Sequence, residues 1–256
     1  MFYAELMDCV KSSDASVGRA SAIIERDMRM TAKVLQLTTQ TLGGPKIGSI
    51  GDAVAYLGLD NIGTLLLTLN AFTEFEASST SNFSTQTLWR HSLTTGALAE
   101  RLLPSLPPAS QAHGHIRIIG LLHDVGWLVL AANLPEDFDR VYKLVAEKQM
   151  FALDAEREVF GVTHAELGAA LLETWGLPTP MIDAVAYHHS PGTCPHPGSA
   201  MLMALHVADV LESSAETTLH PPEPDLAYLT RSGVAHLLPV WRELSTQFLA
   251  KEMGRA

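Results

Sequence analysis

Apolar residues recur along this chain at spacings of three and four, the period of a helix with one buried face. Ile23, Ile24, Met28, Val34 and Leu35 predict one such stripe, and Asp60 is placed to cap a helix carrying Ile62, Leu65, Leu66 and Leu69. Residues 85–103 read as a long helix stopped near Pro104, with a proline turn over 104–108. A helix over 115–131 follows, then a stripe of Phe138, Val141, Tyr142 and Val145. Thr163-His164-Ala165-Glu166 fits a capping box, and the helix it opens should end at Gly176 ahead of Pro178. Further helices are predicted over 181–189, 201–211 and 234–249. The loop 190–198, with three prolines and two glycines, interrupts them, and 219–225 is the most linker-like stretch. Period-two alternation is almost absent, so the expected fold is all-α, a multi-helix bundle.

Ser, Thr and Asn crowd together between 76 and 85. A boundary there gives an N-terminal helical part, 1–80, and a core, 81–256, that holds every candidate ligand named below. One continuous core with a surface loop is the alternative.

Composition narrows the function. The chain has 256 residues, 47% of them hydrophobic, enough for a sizeable core. A formal charge of −11, with no Lys/Arg cluster, argues against a nucleic-acid backbone as the main partner. Cys9 and Cys194 form no CxxC and read as free thiols of a reducing compartment. The N-terminus lacks the basic and apolar regions of a secretion signal, and no apolar run approaches a membrane-spanning length. A cytoplasmic protein without a membrane partner is expected. The chain begins inside what reads as a helix, as the output part of a longer protein would.

The chemistry centres on His123 and Asp124, which interrupt the apolar run 118–130. A buried carboxylate without a partner is costly, so a metal, a cation or a set of donors must satisfy it. His91, His164, His188, His189 and Asp209 lie at other helix positions. Imidazole and carboxylate are the donors that zinc and similar ions favour, and a bundle can gather them from several helices. Neighbours on a helix diverge by about 100°, so His123 and Asp124 share an ion only if it lies between their directions. Gly126 leaves room for a close approach. Each residue alone has a plainer reading. His188 and His189 can complement a helix dipole, and His164 can sit at the surface. His91 can be a core histidine beside Leu88 and Leu98, and Asp209 can pair with a Lys or Arg. His113, His115, His196, His206, His220 and His236 are read as ordinary structural or surface residues.

The segments Leu88-Trp89-Arg90-His91-Ser92, Gly120-Leu121-Leu122-His123-Asp124-Val125-Gly126 and Thr163-His164-Ala165-Glu166-Leu167-Gly168 resemble the HD superfamily. With Trp175-Gly176-Leu177-Pro178, Ala186-Tyr187-His188-His189 and Ala55-Tyr56-Leu57-Gly58 the closer resemblance is to its HDOD branch. HDOD domains are signalling outputs, often joined to response-regulator receivers in bacteria. The related HD-GYP branch hydrolyses cyclic di-GMP with two or three metals, and its ligands fall here on His91, His123, Asp124, His164, His188, His189 and Asp209. Three departures weigh against that activity. Thr87 stands where that branch has an acidic residue, Trp127 where it has a lysine, and Ser190-Pro191-Gly192 replaces its Glu and Gly-Tyr-Pro. Trp127 would shape a different pocket.

The resemblance therefore implies one HDOD domain, the output module of a two-component response regulator, with a retained divalent metal site (Fe, Mn, Zn, Mg or Ni) and no catalysis. Its partner would be a signalling protein or an N-terminal receiver domain. The alternative is a metal-dependent phosphohydrolase acting on a nucleotide or cyclic dinucleotide. Asp124 would bridge two ions, one held by His91, His123 and Asp209, the other by His164, His188 and His189. Lys33, Lys143 and Lys148 have no spacing that marks them as phosphate contacts. A third reading leaves the site without metal, its His and Asp hydrogen-bonded to each other.

Overall fold

A computed structural model describes residues 2–36, 38, 49–74, 83–106, 115–213 and 223–253. Every regular element among them is helical, and none is a strand. The chain divides into two compact units, Met1–Glu74 and Phe75–Ala256.

The first unit holds α1 (Phe2–Lys11), α2 (Val17–Ile24), α3 (Met28–Gln36), α4 (Ile50–Leu57) and α5 (Leu59–Glu74). The single stripe expected from Ile23 to Leu35 is two helices. α2 ends at Glu25, a short turn follows, and Met28 opens α3 almost fully exposed at 85%. Ile23, Ile24 and Val34 are buried as expected. Gly58 ends α4, and α5 starts directly at Leu59, so Asp60 lies within the helix rather than ahead of it. Ile62, Leu65 and Leu66 are buried.

The second unit begins with α6 (Thr85–Leu102), capped by Ser84 and closed by a 3-10 turn at Leu103–Ser105. Pro107 and Pro108 of the proline turn over 104–108, with His113 and residues 219–222 including His220, lie outside the described residues. The helix expected over 115–131 is two helices, α7 (Ile116–Leu122) and α8 (Val125–Asn133), parted at His123-Asp124. Asp124 leaves helical geometry, with φ −103° and ψ 14°. The stretch Ile116–Asn133 does have the length and composition of a membrane span, against the expectation of none; 67% of it is buried within the protein, as befits a core segment.

α9 (Pro135–Lys148) buries Phe138 and Val141, and α10 (Ala152–Phe160) follows. α11 (His164–Thr174) opens with the expected capping box, Thr163 and Glu166 each bonding the other's backbone N–H. It ends at Gly176, where the Leu177 N–H reaches the Leu172 carbonyl at 3.1 Å. α12 (Thr179–Ala186) stops before His188 and His189, which were expected inside it, because Tyr187 already leaves helical geometry. α13 (Ala200–Ser213) is buried at every position from Ala200 to Glu212, the central helix of this unit. α14 (Leu226–Arg231), capped by Asp225, was not foreseen. The last helix, α15 (Leu238–Met253), starts after a 3-10 turn at Ala235–Leu237, later than the predicted 234. Cys9 and Cys194 are free and buried.

Glycine decides how tightly the site helices meet. α6 crosses α7 at Gly96 and Gly120, where a Cβ on Gly120 would lie 2.2 Å from the Gly96 Cα. No side chain fits there, so these helices pack backbone to backbone.

Candidate metal centre

Four imidazoles and two aspartates converge in the second unit, with a fifth imidazole at the edge. α6 supplies His91 from its middle. The break between α7 and α8 supplies His123 and Asp124. His164 is the first residue of α11, and α13 supplies Asp209. His188 and His189 come from the turn after α12. Because the chain leaves the helix at Asp124, the expected 100° divergence does not keep the pair apart. His123 Nε2 lies 3.2 Å from Asp124 Oδ2.

Asp124 sits between two groups. On its Oδ2 side are His91 Nε2 at 3.5 Å and His123 Nε2 at 3.2 Å. Asp209 Oδ1 faces the same two nitrogens at 3.2 and 3.6 Å. On its Oδ1 side are His164 Nε2 at 3.2 Å and His188 Nε2 at 3.6 Å. His189 reaches in from the half-exposed edge, with Nε2 3.1 Å from His164 Nε2 and Nδ1 3.6 Å from Asp209 Oδ2. All seven residues singled out in the sequence are thus brought together.

The approach of α11 depends on Gly126. A Cβ there would lie 2.0 Å from the His164 carbonyl oxygen. The room expected at this glycine is filled by the backbone of the third histidine.

The outer nitrogens are as ordered as the inner ones. His91 Nδ1 bonds Glu212, and His123 Nδ1 bonds the Gly120 carbonyl at 2.7 Å. His164 Nδ1 bonds Glu156 at 2.8 Å, and His188 Nδ1 bonds the Val185 carbonyl at 2.7 Å. Each partner is an acceptor, so each Nδ1 donates. Glu156 and Glu212 were missed in the sequence. Their signal was a glutamate three positions after Asp209 on an otherwise apolar helix, and one on the helix just before His164.

Four Nε2 atoms therefore turn inward, and no ordinary hydrogen-bond network satisfies them all. His188 Nε2 is buried without a hydrogen-bond partner. His91 and His123 approach Nε2 to Nε2 at 3.2 Å, a contact that needs a proton or a cation between them. Adjacent nitrogen ligands on one ion, at a metal–nitrogen distance of about 2.1 Å, stand roughly 3.0–3.4 Å apart. Protons are the competing solution. Burial alone would lower the imidazoles, yet the facing carboxylates outweigh it and raise His123 and His164 from 6.5 to about 9. His91 rises well above its ordinary value for the same reason. Burial alone would raise the two aspartates, but the facing imidazoles hold both well below their ordinary range. A site that draws in positive charge this strongly, with lone pairs available on several rings, has the donors to hold divalent metal.

The Trp127 ring lies tilted against His164 at 5.1 Å and meets Phe138 at 5.2 Å and Tyr142 at 6.1 Å edge to face. Of the histidines read as ordinary, His206 is buried and structural: it donates from Nδ1 to the His188 carbonyl and accepts at Nε2 from the Asp225 N–H. His196 is exposed and bonds Asp183.

An all-α domain with a His-Asp pair at a helix break, ringed by histidines from neighbouring helices, is of the HD-superfamily class. The HDOD domain profile matches residues 1–191, and the chain belongs to the HDOD family. A solved HDOD domain protein of unknown function from Geobacter sulfurreducens is similar at TM-score 0.71 and 24% identity, over 98% of this chain and 86% of that one. A protein from Shewanella amazonensis SB2B, provisionally named a phosphohydrolase, is similar at TM-score 0.72 and 21% identity, over 96% and 88%. These likenesses establish the fold. An uncharacterized protein of Treponema pallidum (strain Nichols) is 26% identical over 189 residues, 73% of this chain. The chain spans 36% of the length of that relative.

Proposed function

We propose that this chain is a signal-transduction output domain whose seven ligands hold a pair of divalent ions, and that it passes on a state rather than turning over a substrate. His91, His123 and Asp209 would hold one ion, and His164, His188 and His189 the other, with Asp124 between them. One observation carries the metal reading: four rings tied off at Nδ1, leaving their Nε2 atoms facing two aspartates. Trp127 supports the non-catalytic part. The cyclic-di-GMP hydrolysing branch has a lysine at this position that could contact phosphate, and here the chain packs an indole against His164. In this reading the 1–80 and 81–256 parts act as one HDOD domain, in the cytoplasm, with a signalling protein or a receiver domain as partner.

The complete ligand set favours a second reading, a metal-dependent phosphohydrolase. A bound metal pair there would bind phosphate and lower the pKa of a water. Asp124 and Asp209 would fix the geometry, and the imidazoles would exclude bulk water from it.

Elemental analysis of untreated protein, paired with a cyclic-dinucleotide and mononucleotide hydrolysis assay, separates the two. Metal near two ions per chain with no turnover is expected. Turnover on the order of 1 per second would overturn the signalling assignment. Protein that takes up no metal would overturn both metal readings.

A further inference from the structure

We propose that Glu156 and Glu212 are positioning residues for this centre, one for each half: they hold the Nδ1 protons of His164 and His91 and so aim those rings' Nε2 lone pairs inward. The inference rests on the metal reading above. Both glutamates are buried, at 1% and 5% exposure, a costly place for a carboxylate. Glu156 takes three contacts from a single residue: the His164 backbone N–H at 2.7 Å, and the ring Nδ1 at 2.8 and 2.9 Å from its two oxygens. Glu212 takes the His91 Nδ1.

The chemistry follows from what a carboxylate cannot do. A neutral imidazole carries one proton, and the bond at one nitrogen decides where it sits. A carboxylate acceptor fixes that proton on Nδ1. The rings of His123 and His188 are fixed in the same sense by backbone carbonyls. The halves thus match, each with one ring held by a carbonyl and one held by a glutamate. His206 is the contrast. Its Nδ1 also donates, but its Nε2 is used up by the Asp225 N–H, so it has nothing to offer an ion.

Glutamine at either position keeps the volume and gains an N–H that can donate to Nδ1. The ring proton is then free to move to Nε2, where it blocks the ligand. The test is calorimetric titration of Zn²⁺ into metal-stripped wild type, Glu156→Gln and Glu212→Gln, with ring ¹H–¹⁵N spectra of each. Each variant should lose about 10–100-fold in affinity for one ion and keep the other. It should also lose the far-downfield Nδ1–H of its own histidine. Unchanged zinc affinity in both folded variants overturns the proposal. Should wild type take up no zinc, the metal reading fails, and the wild-type ring spectrum alone decides this one. Recorded at a pH where the rings are neutral, protons on Nδ1 of both His91 and His164 support the role of the glutamates, and a bare Nδ1 on either overturns it. That spectrum also decides the matter if a variant fails to fold.

Discussion

The two halves of the cluster offer similar donors but are built differently. His91 and Asp209 project from the interiors of α6 and α13, an 18-residue and a 14-residue helix. Their positions are set by packing along the whole length of each helix. His164 stands at the first position of α11, and His188 and His189 lie beyond the end of α12. Their positions are set by caps, turns and backbone contacts: Gly126 against the His164 carbonyl, Val185 and His206 on His188. Helix ends open at lower free energy than helix interiors. On the proposed signalling reading, the second half is the part more easily shifted without unfolding the domain, and His91 and Asp209 are its fixed reference.

Asp124 faces imidazoles of both halves at close range, so its removal should erase the contrast. Asp124→Ala should abolish stoichiometric metal uptake at both positions and destabilise the protein by about 3–5 kcal/mol, because the facing imidazoles lose their buried partner. Elemental analysis and chemical denaturation measure the two effects. A variant that keeps either ion would show that the halves do not depend on a common bridge.

Acid–base behaviour probes the same symmetry in metal-stripped protein. His123 stands in one half and His164 in the other, and both are raised from 6.5 to about 9. A group raised on folding contributes stability that is whole below its unfolded value and is lost as pH climbs through the folded one. The chelated protein should therefore lose thermal stability between about pH 6.5 and 9. Metal-loaded protein should hold its stability across that range, since ligation itself requires deprotonated rings. Melting curves with and without chelator make the comparison. A chelated protein whose Tm is flat or rising over this range would rule out imidazolium as the metal's stand-in.

Gly126→Ala separates the halves. A Cβ placed 2.0 Å from the His164 carbonyl oxygen must push the start of α11 away from α8. Overpacking of this kind costs about 1–3 kcal/mol. The first half is untouched, so metal content should fall from two ions per chain towards one. Loss of both ions together would mean that the halves form one indivisible unit.

These same features show what could be read before any coordinates. All seven candidate residues could be singled out, His123 and Asp124 because polar residues in an apolar run must be explained and the others through the order of the family's motifs, while Thr163, Glu166 and Gly176 mark the limits of α11 by local rules. The break at Asp124 was not legible. Residues 115–131 carry an uninterrupted helical pattern, and the pair leaves the helix only where His91, His164 and His188 draw on Asp124 from other elements. The same holds for the end of α12: nothing in Ala186-Tyr187-His188-His189 stops a helix, and Pro191 comes too late to do so. Glu156 and Glu212 give no such signal, because a single glutamate on a helix is most often on its surface. Only the folded arrangement places an imidazole nitrogen beside each.

The smallest expected effect concerns the cap that opens α11. The Thr163 side chain accepts the Glu166 N–H at 3.2 Å, and the Glu166 carboxylate accepts the Thr163 N–H at 2.9 Å. Thr163→Ala removes one of these bonds and should cost about 0.5–2 kcal/mol. If the second half owes its position to such local devices, the loss should also appear as weaker binding of one ion, with the ion at His91 and His123 unchanged. Arg157→Ala is the matched control. It removes an exposed ion pair to the same Glu166, worth about 0–1 kcal/mol, without touching the cap bond. Metal titrations of the two variants side by side should therefore differ, Thr163→Ala shifting the ion at His164 and Arg157→Ala leaving both in place. Equal behaviour would show that His164 is held by Glu156 and Gly126 alone, and that the contrast between the halves lies in side-chain and backbone contacts rather than in the start of the helix.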